Sequence, residues 1–186
     1  MLGSCSGLVQ QQNNNNQQKK QLLHASKDYT QNPQVIAIIK NKLSMTTSLK
    51  KLNNNFSVHE LYSGTQRNIY IRFVTLKLES TPVIVAVSST YHNNHIFYDI
   101  LTHSNNSPIG SKLFALNSGI TRNPNMLISI VCVSKIDSKT LQQYLSELGY
   151  KPNQKIIQRT SIFLYKNTES MQLTEYILPA IVDFIK

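Results

Sequence analysis

A chain of 186 residues has room for one domain with a sizeable core, and its 40% hydrophobic content is that of a globular protein, not a disordered one. No apolar run approaches the roughly 18 residues that span a bilayer, so no stable membrane insertion is expected. The net charge of +10 is carried mostly by scattered lysines, with arginine only at Arg67, Arg72, Arg122 and Arg159. No reader motif or basic-aromatic interleaving accompanies that charge, which excludes a nucleic-acid partner and leaves a field that attracts small anions.

Residues 1–28 contain the run Gln10 to Gln18 followed by Lys19 and Lys20, too polar to offset the entropy of ordering, and read as a disordered tail ahead of a domain over 29–186. Asn32-Pro33 supplies an N-cap with Pro at the first helical position. Val35, Ile36, Ile39 and Leu43 continue at helical spacing, and the pattern extends through Leu49 and Leu52 until Asn53-Asn54-Asn55. A short strand is predicted over 56–62. The clearest pair of strands is 69–79 and 82–91, joined at Ser80-Thr81. Residues 95–116 are helical in pattern, interrupted by Asn105-Asn106-Ser107-Pro108, and 126–133 reads as a buried strand. In 138–148, Leu141, Tyr144, Leu145 and Leu148 mark an amphipathic helix with Gly149 as its C-cap. A last hairpin joins 155–166 to 171–178. The predicted class is α+β, an antiparallel sheet with helices packed on one face.

Two charges break apolar stripes. Alternate residues of a strand share a face, so Tyr70, Arg72, Val74, Leu76 and Leu78 lie together, as do Met171, Leu173, Glu175 and Ile177. A buried charge without a partner costs several kcal/mol, so each needs one. Two readings stay open. Arg72 and Glu175 pair with each other or with backbone groups, or they line a water-poor pocket for an anionic ligand. In the second, the guanidinium fork matches a carboxylate, and an apolar setting raises Glu175 toward a usable general acid.

Other constellations carry less. His92 and His95 have HxxH spacing with His103 nearby, but no carboxylate motif joins them, so solvated histidines and no metal are expected. Cys5 and Cys132 lack CxxC spacing, which excludes a disulfide framework and fits a reducing compartment. Glycine-rich phosphate loops and nucleophile elbows are absent from the sequence.

Four segments together resemble the chorismate lyase (chorismate–pyruvate lyase) family. They are Ser44-Met45-Thr46, Tyr70-Ile71-Arg72 with Pro82 downstream, Ser107-Pro108-Ile109-Gly110-Ser111-Lys112-Leu113-Phe114 followed by Thr121-Arg122, and Gln172-Leu173-Thr174-Glu175-Tyr176-Ile177-Leu178-Pro179-Ala180. The resemblance implies an antiparallel sheet, no cofactor, and conversion of chorismate to 4-hydroxybenzoate and pyruvate for quinone synthesis. It also implies a pocket with Met45, Arg72, Ile109 and Glu175 as substrate contacts, Arg72 on a carboxylate of the dianionic substrate and Glu175 as acid. Ala86-Val87-Ser88 departs from the family's Gly-Arg-Thr, so Val87 stands where a second basic contact is expected. The Asn/Lys-rich composition fits the cyanobacterial and plastid branch, hence a plastid location, and a monomer is expected. Relatives of this fold also serve as ligand-binding domains of transcription regulators, so the alternative is a non-catalytic module that binds an aromatic carboxylate. The first 30 residues hold no DNA-binding helix-turn-helix.

Overall fold

In a computed structural model of the chain, residues 29–41, 44–115 and 118–185 are described; the expected tail over 1–28 lies outside them. Seven strands form one antiparallel sheet: β1 (Phe56–Gln66), β2 (Ile69–Leu78), β3 (Thr81–Tyr91), β4 (Ile120–Arg122), β5 (Leu127–Cys132), β6 (Lys155–Tyr165) and β7 (Glu169–Ile177). Their order is β1-β2-β3-β7-β6-β4, with β5 paired to β6 beyond β4. Both strands therefore sit on one edge, β4 opposite residues 163–165 and β5 opposite 155–160.

The hairpins follow from turn chemistry. Arg67 and Asn68 both take positive φ (47° and 68°) between β1 and β2, as do Lys166 and Asn167 (48° and 58°) between β6 and β7. Two consecutive left-handed residues match the twist of the flanking strands. β1 thus runs four residues past the predicted end at Tyr62, because the turn rather than hydrophobicity terminates it. The β2–β3 turn falls at Glu79-Ser80, one residue earlier than expected, with Glu79 at φ 56°.

Among the described residues five α-helices accompany the sheet: α1 (Pro33–Lys40), α2 (Met45–Leu52), α3 (His95–Thr102), α4 (Gly110–Leu113) and α5 (Lys139–Glu147). Asn32 caps α1 through its side chain, which accepts from the backbone N–H groups of Gln34 and Val35. The helical pattern expected to run from 33 toward 52 is two helices. Asn41 is extended and ends α1, and Ser44 precedes α2; residues 42 and 43, Leu43 among them, lie outside the described residues. Residues 95–116 divide into α3 and α4 around the expected interruption. Gly149, at φ 90°, closes α5 as the sequence predicts.

Both sheet faces are covered. Val35, Ile39, Met45, Leu49, Phe97 and Leu101 from α1, α2 and α3 pack on Val74, Leu76, Ile84, Ala86 and Leu173. Leu141 and Leu145 of α5 instead pack on Val85, Ile156 and Tyr176, the opposite face. Four helices share one face and the fifth lies behind the sheet. Tyr29 ties the start of the domain to the strands: its hydroxyl donates to the Ile177 carbonyl and accepts from the Ile157 N–H, both at 2.9 Å. The segment 126–133, expected as a buried strand, is an exposed edge strand, with Leu127, Ile128 and Ile130 all facing solvent. Apolar composition marks a strand but not its neighbours, and among the described residues β5 has a strand on one side only. Among the described residues no helix is long and apolar enough to cross a membrane.

Candidate functional site

The expected faces are present. Arg72, Val74, Leu76 and Leu78 are buried on one side of β2, and Met171, Leu173, Glu175 and Ile177 on the same side of β7. Arg72 is 1% exposed and Glu175 3%, so both charges are inside the protein. They do not pair with each other.

Arg72 is held from three directions. Its Nε donates to Glu60 Oε2 at 2.7 Å, and its Nη2 donates to the carbonyls of Asn105 and, at 3.1 Å, Ser107. The Glu60 backbone N–H in turn donates to Asn106 Oδ1 at 2.8 Å. The guanidinium therefore pins the loop between α3 and α4 against the sheet. Its Nη1 makes no hydrogen bond among the described residues. A ligand carboxylate thus finds one free edge there, not the whole fork that the sequence reading assumed.

Glu175 has its own guanidinium. Arg159, 1% exposed on β6, stands directly opposite it and gives Nε and Nη2 to Oε2 at 2.7 and 2.5 Å. Its Nη1 reaches back to the carbonyls of Ile39 and Asn41, at 3.2 and 3.4 Å, where α1 ends. The isolated apolar setting expected for Glu175 is therefore an ion pair. Its Oε1 accepts no hydrogen bond among the described residues.

A third guanidinium completes the group. Arg122 of β4 donates from Nη2 to Ser161 Oγ at 2.7 Å and lies 5.7 and 5.4 Å from the ring centroids of Phe114 and Phe163. Burial pulls it below the usual arginine value, and the charge of Arg159 adds to that; Glu175 works the other way. Such a stacked, partly desolvated cation holds its charge at neutral pH. Among the described residues the cluster thus gathers three guanidinium groups and the carboxylates of Glu60 and Glu175.

These residues line one cavity. Its walls include Ser44, Met45, Thr46, Arg72, Pro108, Ile109, Gly110, Leu113, Phe114, Arg122, Leu173 and Glu175, with Arg159, Phe163 and Ser88 besides. All four candidate residues, Met45, Arg72, Ile109 and Glu175, are brought together there. Every one of the four segments quoted from the sequence contributes a wall, although they come from separate parts of the chain. The cavity measures about 40 Å³, room for two or three waters. A ring-sized ligand requires its walls to part.

Gly110 explains how two of those walls meet. A Cβ built at Gly110 would stand 2.2 Å from Ser44 Oγ and 3.3 Å from Ser44 Cβ, so any larger residue would make the Ser44 side chain give way where the start of α4 abuts the start of α2. On β3, Ser88 stands opposite Arg72 and Ala86 opposite Glu175, both on the cavity side. Val87 packs with the core behind the sheet. The position flagged for a missing second arginine therefore does not face the site, and Arg159 and Arg122 supply the further guanidinium groups. Arg159 was legible by the same alternation that exposed Arg72, since Ile157, Arg159, Ser161 and Phe163 share a face of β6. Glu60 was not, because a bulge between Glu60 and Tyr62 shifts the phase of β1.

The histidines lie elsewhere. His92 stacks on Tyr98 with centroids 4.2 Å apart, and His103 pairs with Asp99 in solvent. Among the described residues no group of three or more histidine, cysteine or acidic side chains is placed to hold a metal.

No protein-family model and no curated protein matches the sequence. Solved structures do. The effector domain of PhnF from Mycobacterium smegmatis superposes with a TM-score of 0.53 at 9% identity, over 74% of this chain and 90% of that one. A GntR-family transcriptional regulator from Enterococcus faecalis V583 matches with a TM-score of 0.42 at 12% identity, over 66% of this chain and 89% of that one. The ligand-binding domain of a putative GntR-family regulator from Bordetella bronchiseptica gives 0.45 at 12%, over 67% and 86%. The first of these carries the fold assignment: the chain has the chorismate lyase-like α+β fold found in the PhnF effector domain.

Proposed function

We propose that the cavity binds a small aromatic carboxylate and that the protein is a ligand-binding module. The observation that carries this reading is a cluster of three guanidinium groups, two of them buried and Arg122 half-buried, set in walls that are otherwise mostly apolar. Such a site suits a ring with one anionic end. The free Nη1 edge of Arg72 and the Arg122 cation would receive the carboxylate, while Leu173, Ile109, Phe114 and Phe163 would hold the ring. The likeness to the PhnF effector domain agrees with a binding role.

A second reading is favoured by one specific observation: the four segments that resemble chorismate lyase all converge on this cavity. In that reading Arg72 orients a carboxylate of chorismate, and Glu175 acts from Oε1 on the enolpyruvyl group. The carbon–oxygen bond breaks while the enolpyruvyl methylene gains a proton and the hydroxyl-bearing ring carbon loses one, which releases pyruvate and leaves 4-hydroxybenzoate, the aromatic ring supplying driving force. Met45 and Ile109 would contact the substrate. Positioning and electrostatics suffice, with no covalent intermediate. A role in plastid quinone synthesis belongs to this reading alone.

One experiment separates the two. Purified protein is incubated with chorismate, and 4-hydroxybenzoate is followed by chromatography. The binding-module reading predicts no product above the uncatalysed background while 4-hydroxybenzoate still binds. Product formation that Glu175→Gln abolishes would make the protein a lyase.

A further inference from the structure

β5 is an uncharged, exposed, apolar strand on an open sheet edge. Leu127, Ile128 and Ile130 are 70%, 42% and 53% exposed, the most solvent given to large aliphatic side chains among the described residues. The strand pairs with β6 on one side and has no strand partner among the described residues on the other. In an antiparallel ladder, alternate residues turn their N–H and C=O groups toward that open side. Proteins ordinarily guard such an edge with lysine, proline or a bulge. Here no charged side chain occurs from Asn123 to Ser134.

We infer that this edge is a homodimer interface, in which β5 pairs antiparallel with β5 of a second copy about a two-fold axis through Ser129. The sequence itself selects that arrangement. An axis perpendicular to the sheet keeps each side chain on its own face, so residues of equal parity must stand opposite each other. Centred on Ser129, Ile128 faces the partner's Ile130, Leu127 faces the partner's Val131, and Ser129 faces the partner's Ser129. Every apolar residue meets an apolar one, and the hydroxyls meet at the axis. Centring on Ile128 or Ile130 instead sets Ser129 against Leu127 or Val131.

Charge names the occupant as well. Two copies at +10 repel each other over most of their surfaces. From 123 to 134 the edge carries no charged side chain, so pairing along it sets no two like charges directly opposite each other. The faces continue correctly too: Ile128 and Ile130 stand opposite Arg159 and Ile157 of β6. The joined sheet would therefore carry both cavities on the same face. This also resolves the conflict between the apolar 126–133 segment, which reads as buried, and its exposure in one chain. It stands whether or not the cavity binds an aromatic carboxylate.

The test has two parts. Sedimentation velocity across a concentration series, from about 1 to about 200 μM, should show the mass rising from one chain of 21.1 kDa toward two. Ile130→Lys should hold it at one, with an unchanged circular-dichroism spectrum. In a Cys5→Ser/Cys132→Ser background, Ser129→Cys should form a disulfide-linked dimer under mild oxidation, because residues paired across strands lie within disulfide range. Leu127→Cys should not, since its two copies are about 13 Å out of step along the strand. A single-chain mass at every concentration would overturn the inference. So would a dimer indifferent to Ile130→Lys, or equal linking by the two cysteine variants.

Discussion

At the residue scale the site is built from ion pairs, and the cost of breaking each one ranks them. Removing Arg159 leaves the Glu175 carboxylate buried without its cation, so Arg159→Met should destabilise the fold by about 3–5 kcal/mol in denaturant unfolding. Adding Glu175→Leu to that variant should recover much of the loss, because both charges then leave together. Glu175→Gln keeps the shape of the site and should bind 4-hydroxybenzoate within a few-fold of the parent; if chorismate is a substrate, the same variant should form no product. Arg72 and Glu175 were legible as charges inside apolar stripes, because strand periodicity needs nothing but the sequence. Their partners were not. Which carboxylate meets Arg72 depends on a bulge in β1 and on a loop 33 to 35 residues away, and neither leaves a local mark.

The elements hold the cavity in place through two contacts that mutation can reach separately. Gly110→Ala forces Ser44 away and should loosen the joint between α2 and α4, weakening ligand binding more than it lowers the melting temperature. Calorimetric titration beside a thermal melt distinguishes the two effects. The second contact is Tyr29, whose phenol bridges Ile177 and Ile157. Burial raises it above the ordinary tyrosine value, as it does for Tyr150. Above pH 10 the unfolded chain releases these protons and the folded chain keeps them, so the unfolded state binds fewer and stability must fall as pH rises. Tyr29→Phe should cost about 1 kcal/mol at neutral pH by losing the bridge, and should flatten the alkaline decline. Element boundaries were readable where turn residues set them, as at Gly149. They were missed at Asn41, where α1 ends so that its last carbonyls can take the Arg159 guanidinium, a contact 120 residues distant.

For the whole molecule, alternation and hairpin spacing were enough to predict an antiparallel sheet with helices, and the structure has that architecture. Two features lay beyond the sequence: the placing of α5 behind the sheet, and the exposure of β5. Both depend on which strands become neighbours, since a hydrophobic strand looks the same at the edge and in the centre. The net positive charge of the chain and the guanidinium groups of the cavity act together on anions, so binding should weaken as salt is raised. The central claim is that Arg72 and its neighbours form an anion-binding cavity. Isothermal titration of 4-hydroxybenzoate into the parent protein and into Arg72→Ala, with the neutral 4-hydroxybenzamide as control, tests it most directly. The account predicts saturable one-to-one binding to the parent, at least tenfold weaker binding of the amide, and no measurable binding to a folded Arg72→Ala. Equal binding of acid and amide, or undiminished binding by Arg72→Ala, would contradict it.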